Sequence, residues 1–217
     1  MELSRIFTAR SVWLFDVAEL NPRGLRVEPI FDALKARYQF AEVAPDEKKN
    51  GLVFKNGTFL ASGEPIMIDT LEVYDDGIVV NTHSSTVISD AVIEDSLNWL
   101  FQEYKLGGAD FKQRVRRLYI SEVSFLCPGV SIGRGVGSFL SLTELVGKAS
   151  GQSQVEIQSV VFGSSEKRTL FTFERRIGEP FAMNKYFSTG AMPTPVHLDL
   201  LEAACSLLSN VNQLGMG

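Results

Sequence analysis

The sequence predicts an α+β fold, mostly antiparallel sheet with helices packed on one face. Asp76-Gly77 separates two β-rich runs, residues 66–74 and 78–82, and an Asp-Gly pair between such runs is a strong hairpin signal. Ile93, Leu97, Leu100, Phe101 and Tyr104 then recur at helical spacing until Gly107-Gly108, with Ser89 available as the cap. A strand pair covered by a helix is the building unit of an α+β domain.

The remaining elements follow in order. Residues 12–17 read as a short strand that stops at Asn21, Pro22 and Gly24. Pro29 suits the first turn of a helix in which Ile30, Phe31, Leu34 and Tyr38 share a face. Residues 45–51 form a charged loop, and Asn56-Gly57 between residues 52–54 and 58–60 predicts another hairpin. Beyond Gly107-Gly108, residues 115–126 form a long strand whose alternation breaks near Ser121-Glu122, as at a bulge. A glycine-rich loop leads to a helix over about 139–149, where Ser141 to Glu144 fits a capping box. Residues 155–162 and 168–175 read as a hairpin around Gly163, Ser164 and Ser165, with Phe171 and Phe173 on one side and Leu170 and Thr172 on the other. Residues 176–194 form a long irregular segment. Thr194 then caps, and Pro195 opens, a helix with Val196, Leu200, Leu201, Ala204, Leu207 and Leu208 on one side.

The Gly107-Gly108 pair divides the chain into an N-terminal α+β half, 1–106, and a C-terminal half, 109–217. The element order of each half approaches the split β-α-β-β-α-β unit, so two ferredoxin-like halves, or one continuous domain built from both, are expected.

Composition sets the class. The chain has 217 residues, 45% hydrophobic and 22% charged, which is ordinary for a globular protein able to bury a core. No run approaches the roughly 18 apolar residues of a membrane span, and Glu2, Arg5 and Arg10 interrupt any signal-peptide core. A cytoplasmic location without membrane contact is therefore expected. Cys127 and Cys205 match no metal or redox spacing and read as separate buried hydrophobes. With two histidines in the chain, no metal and no cofactor are expected. Residues 1–105 carry a net charge of −7 and residues 106–217 a net charge of +2.

Four constellations could carry chemistry. The loop 129–138, with Gly133, Arg134, Gly135, Gly137 and Ser138, lies between a strand and a helix, where backbone N–H groups can hold an anion. It matches neither the dinucleotide fingerprint nor the Walker pattern. Arg175-Arg176, with the cluster Arg114, Arg116 and Arg117, could serve a nucleic acid, although the chain as a whole is acidic. His197 could act as a base toward Asp199 or a serine of the preceding segment, and His83 beside Ser84 and Ser85 has the same character. Asp69, Glu72, Asp75, Asp76, Glu94 and Asp95 could converge on Mg²⁺, but turn chemistry and a helix N-terminus explain most of them.

No nucleophile, metal or cofactor signature emerges. The sequence is read as a non-enzymatic binding or assembly subunit of a larger complex, with one or more protein partners expected and self-association as an open alternative. Its partner surface is placed on Arg176, Phe181, Met183, Lys185, Tyr186 and Phe187, within a segment longer than ordinary loops. The alternatives are a module for RNA or single-stranded nucleic acid, and a nucleotide-using enzyme with loop 129–138 as its phosphate site.

Overall fold

The computed structural model describes residues 1–46, 51–107, 111, 114–128, 137–152, 155, 157–166, 169–176 and 183–214. Strand β1 (Glu2–Leu14) leads through a short helix α1 (Val17–Leu20) to α2 (Glu28–Arg37). Strands β2 (Glu42–Asp46), β3 (Gly51–Ala61), β4 (Glu64–Tyr74) and β5 (Gly77–Thr82) follow, then the long helix α3 (Thr86–Tyr104). After β6 (Arg116–Leu126) come α4 (Gly137–Ser150), β7 (Ser159–Phe162), β8 (Phe171–Arg175), β9 (Lys185–Gly190) and α5 (Thr194–Leu214). The fold is mixed α and β, and every strand pair whose register is described is antiparallel.

The chain divides into two compact units, Thr8–Ser121 on the one hand and Met1–Phe7 with Glu122–Gly217 on the other, the divisions falling inside β1 and β6. Gly107 lies within the first unit and donates its N–H to the Leu20 carbonyl at 2.6 Å.

In the Thr8–Ser121 unit the strands run β2-β3-β4-β5-β1. Register aligns Val43, Phe54, Leu71, Val80 and Ser11 in one row across the five strands. Paired residues of a sheet share a face, so this row presents one apolar surface to the helices. Ile30 and Leu34 of α2 and Val92, Ile93, Leu97 and Leu100 of α3 pack into it. Each such side chain stabilises the fold by about 1.5–3 kcal/mol when fully buried.

The hairpin at residues 75–76 forms as expected. Tyr74 pairs with Gly77, whose φ of +154° and whose pro-Cβ position 2.2 Å from the Trp13 carbonyl exclude any side chain. Helix α3 begins a turn earlier than the sequence suggested. Ser85 is the cap, accepting from the Val87 N–H at 3.2 Å, while Ser89 is buried and donates to the Ala9 carbonyl at 2.6 Å.

Asn56-Gly57 does not make a hairpin: β3 continues through it, with Asn56 at a φ of 54° as an irregularity within the strand. The chain reverses instead at Ser62-Gly63, where both residues have positive φ (53° and 88°), as a tight hairpin turn requires. Gly57 answers a different need: the Phe40 ring lies where its Cβ would be, 2.4 Å from that position.

In the other unit the strands run β6-β9-β8-β7. Val123, Phe125, Phe171, Phe173, Tyr186, Leu201 and Cys205 form its core. Phe171 and Phe173 face inward, as alternation predicts. Four expectations are corrected here. The segment 176–194 contains a strand, β9, paired with β8. Helix α4 starts at Gly137, which puts Ser141 inside the helix rather than at its cap. The apolar arc of α5 is split: Leu201 is buried, while Val196, Leu200 and Leu207 are exposed, since the core accepts only the side of the arc that also carries His197 and Cys205. Cys127 and Cys205 are not separate thiols but a disulfide, with Cα atoms 6.2 Å apart. A ferredoxin-like arrangement is not confirmed by these strand orders.

Candidate partner-binding site

Strict alternation on β8 and β9 builds a second surface opposite the core. With Phe171, Phe173, Tyr186 and Ser188 buried, Glu174 and Phe187 fall on the outward face. Register pairs Ser159 with Glu174 and Glu174 with Phe187, so the three form one row. Phe7, on the first part of β1, brings its ring to 5.8 Å from that of Phe187 at an interplanar angle of 51°. The guanidinium carbons of Arg5 and Arg176 lie 5.2 and 5.6 Å from the centre of the Phe7 ring. Phe7, Gln158, Ser159, Glu174, Arg175, Arg176 and Phe187 line a cleft of about 460 Å³.

This cleft joins an aromatic floor, with Glu174 beside Phe187, to a cationic rim. Guanidinium groups stack on aromatic faces while keeping their N–H donors available at the ring edge. Arg5 and Arg176 meet no carboxylate among the described residues. An incoming anionic group therefore finds donors already held by a ring. An apolar or planar group beside it would cover Phe187.

The expected partner residues separate in space. Arg176 and Phe187 line the cleft, Lys185 opens β9, and Met183 is exposed. Tyr186 points the other way and is fully buried, its ring 4.9 Å from Phe173 and 5.8 Å from Phe125. A partner could reach Phe187 but not Tyr186. Phe181, and Gly133, Arg134 and Gly135 of the glycine-rich loop, lie outside the described residues, while Gly137 and Ser138 open α4. Arg5 and Phe7 escaped the sequence reading, which started the first strand at residue 12. Their two-residue spacing was the available signal.

His197 does meet a serine of the preceding segment: its Nε2 lies 2.8 Å from the Ser188 oxygen. The hydrogen bookkeeping opposes catalysis. Ser188 donates its one proton to the Thr172 carbonyl, which can only accept. The imidazole N–H at Nε2 must then donate to Ser188, leaving Nδ1 as a bare, buried lone pair with no partner among the described residues. A base would need the reverse arrangement, accepting the serine proton. Burial lowers the His197 pKa to about 4, which keeps the ring neutral, and its flat face fits against Gly190, where a Cβ would come within 2.9 Å.

Several of the other candidates are held by partners within the Thr8–Ser121 unit, while Arg116 is exposed. Arg114 pairs with Glu19 at 3.2 Å, and Arg117 pairs with Glu94 at 3.4 Å while lying 4.0 Å over the Trp13 ring. Asp95 accepts from Arg37 and from the Tyr38 hydroxyl, whose pKa is pushed up by burial and then by that carboxylate. Glu72 and Asp46 accept from the Tyr74 hydroxyl, raised for the same two reasons, and Asp69 accepts from Asn81. Among the described residues no three His, Cys, Asp or Glu side chains are grouped to hold a metal. No described helix is long and apolar enough to cross a membrane.

The sequence matches no model of a known protein family and no curated protein.

Proposed function

We propose that the chain is a non-enzymatic binding and assembly subunit whose partner docks in the Phe7–Phe187 cleft. The observation that supports this most is the pair of guanidinium groups on one ring, Arg5 and Arg176, neither of them in an ion pair among the described residues, in a cleft whose lining also carries Glu174. Aromatic and arginine side chains are the favoured anchors of interfaces, because they bury large area with few rotors to freeze. No cofactor is required by this reading. A cytoplasmic location belongs to this reading, and the Cys127–Cys205 disulfide stands against it, since such bonds are rare in that compartment.

The test compares wild type with Arg176→Glu and Phe187→Ala in affinity recovery from the native source. Both substitutions should leave the melting temperature nearly unchanged and strip the same partner from the recovered complex. Full retention of that partner by both variants would end this assignment. The cationic-aromatic lining also favours a second reading, single-stranded nucleic acid with bases against Phe187 and phosphates on the arginines. Anisotropy of a labelled oligouridylate decides it: saturable binding that weakens with salt and disappears in Arg176→Glu supports nucleic acid, and no binding at low salt eliminates it.

A further inference from the structure

Among the described residues, strand β7 ends its unit's sheet and pairs on one side only, with β8. The bonds to β8 fix which backbone groups are used. The Phe162 carbonyl accepts from the Leu170 N–H at 2.8 Å, and the Gln158 carbonyl accepts from the Arg175 N–H at 2.7 Å. Backbone groups alternate sides along a strand, so those of Ser159 and Val161 point away from β8, along the open edge.

Open edges are normally guarded. The terminal strand of the other unit, β2, carries Pro45 and an ion pair between Glu42 and Lys55 at 2.9 Å. Strand β7 has neither proline nor charge, and its Val161 and Phe162 are 59% and 56% exposed. Such an edge suits an uncharged, apolar, extended strand.

The chain carries that strand itself. We infer that the cleft's partner is a second copy of this chain, added antiparallel along β7, with each copy's Glu166 received by the Arg175–Arg176 end of the other copy's cleft. The inference rests on the docking reading above and names its occupant. A twofold pairing of β7 with itself opposes no charges and needs no second, complementary surface. Direction supplies the rest. In an antiparallel pair, the chain beyond Phe162 of one copy runs past the Ser159 end of the other. That is the end where Gln158, Ser159, Arg175 and Arg176 line the cleft. Glu166 lies four positions beyond Phe162, is exposed, and makes no ion pair among the described residues. In sequence the apolar strand is followed first by this acid and then by Lys167 and Arg168, so Glu166 is the group that meets Arg176, while the cleft's own Glu174 is the carboxylate available to the two bases.

The experiment is sedimentation velocity of the full chain from micromolar to millimolar concentration, with far-UV circular dichroism to confirm that each variant is folded. Wild type should shift from monomer to dimer as concentration rises. Val161→Pro removes only an outward N–H and should weaken the dimer by about tenfold or more, and Val161→Lys, which keeps every backbone group, should do the same. Arg176→Glu and Glu166→Arg should each weaken the dimer, and the two together should restore it. A wild type that stays monomeric throughout overturns the inference, as does a dimer indifferent to both Val161 substitutions. A dimer broken at Val161 but without charge-swap rescue overturns the placement of Glu166. The two readings fail separately. Monomeric wild type that still loses a foreign partner on Arg176→Glu keeps the cleft reading, whereas a Val161-dependent dimer with an idle cleft removes it.

Discussion

Gly57→Ala measures how tightly the Phe40 ring is held against β3. Gly57 has an ordinary backbone conformation, so the substitution costs nothing in φ. The new Cβ would lie 2.4, 2.5 and 3.0 Å from three carbons of the Phe40 ring. Carbon contacts are favourable from about 3.5 Å, so the ring must retreat by about 1 Å. It has little room, being 3% exposed and held between Tyr38 and Phe54, with ring centres 5.9 and 5.3 Å away. Overpacking of this kind costs about 1–3 kcal/mol. Replacing glycine by alanine returns about 0.4–1 kcal/mol through the unfolded chain. The net loss should be about 1–2 kcal/mol, read as a lower urea midpoint at constant slope in circular dichroism. In a Phe40→Leu background the clash disappears, and Gly57→Ala should become neutral or stabilising. Equal losses in both backgrounds would show that the ring does not set the glycine requirement.

Leu97→Ala should cost about 2–5 kcal/mol because Leu97 is buried in α3, while Phe101→Ala, one turn on and half exposed, should stay within about 0.5 kcal/mol; the pair, compared in urea, checks the face assigned to the helix. His197 makes stability depend on pH. Its folded pKa, about 4, lies below the ordinary 6.5, so the unfolded chain binds the proton more readily and stability should fall as pH drops from 6.5 toward 4. A pH series of urea midpoints should show this loss, with His197→Gln flattening it; imidazole nitrogen shifts that titrate near 6.5 in the folded protein would refute the assignment. The Cys127–Cys205 bond closes a loop spanning 78 positions, and chain entropy alone assigns it about 4–5 kcal/mol. Cys205→Ser should therefore lower the melting temperature clearly, and alkylation without reductant should leave the wild-type mass unlabelled.

Much of the architecture is legible from local pattern. The 75–76 turn, the long amphipathic helix after it, and the inward Phe171 and Phe173 all follow from spacing of two or 3.6 residues. What escaped is long-range. Asn56-Gly57 carries the local marks of a hairpin, yet the glycine is there because Phe40, seventeen positions earlier, needs its space. Ser62-Gly63 makes the turn with equally good chemistry, and only strand register distinguishes the two. Tyr186 and Phe187 were read together as surface aromatics, but placing them on a strand sends them to opposite faces. The cleft was half visible: Arg176 and Phe187 lie in the segment singled out, whereas Arg5 and Phe7 come from the other end of the chain.

Both tryptophans lie in the Thr8–Ser121 unit. Trp13 is buried, donates from its indole nitrogen to Asp90 at 2.7 Å and carries Arg117 on its ring; Trp99 meets Tyr104 edge-on and Arg37 at 5.5 Å. Indole emission is thus a private channel of one unit, and the unit containing the cleft is silent in it. Backbone dichroism records both. When the protein is unfolded, coincident traces from the two signals mean that the units melt as one cooperative body. A dichroism change that runs ahead of the emission means that the cleft is lost while the tryptophan unit still stands.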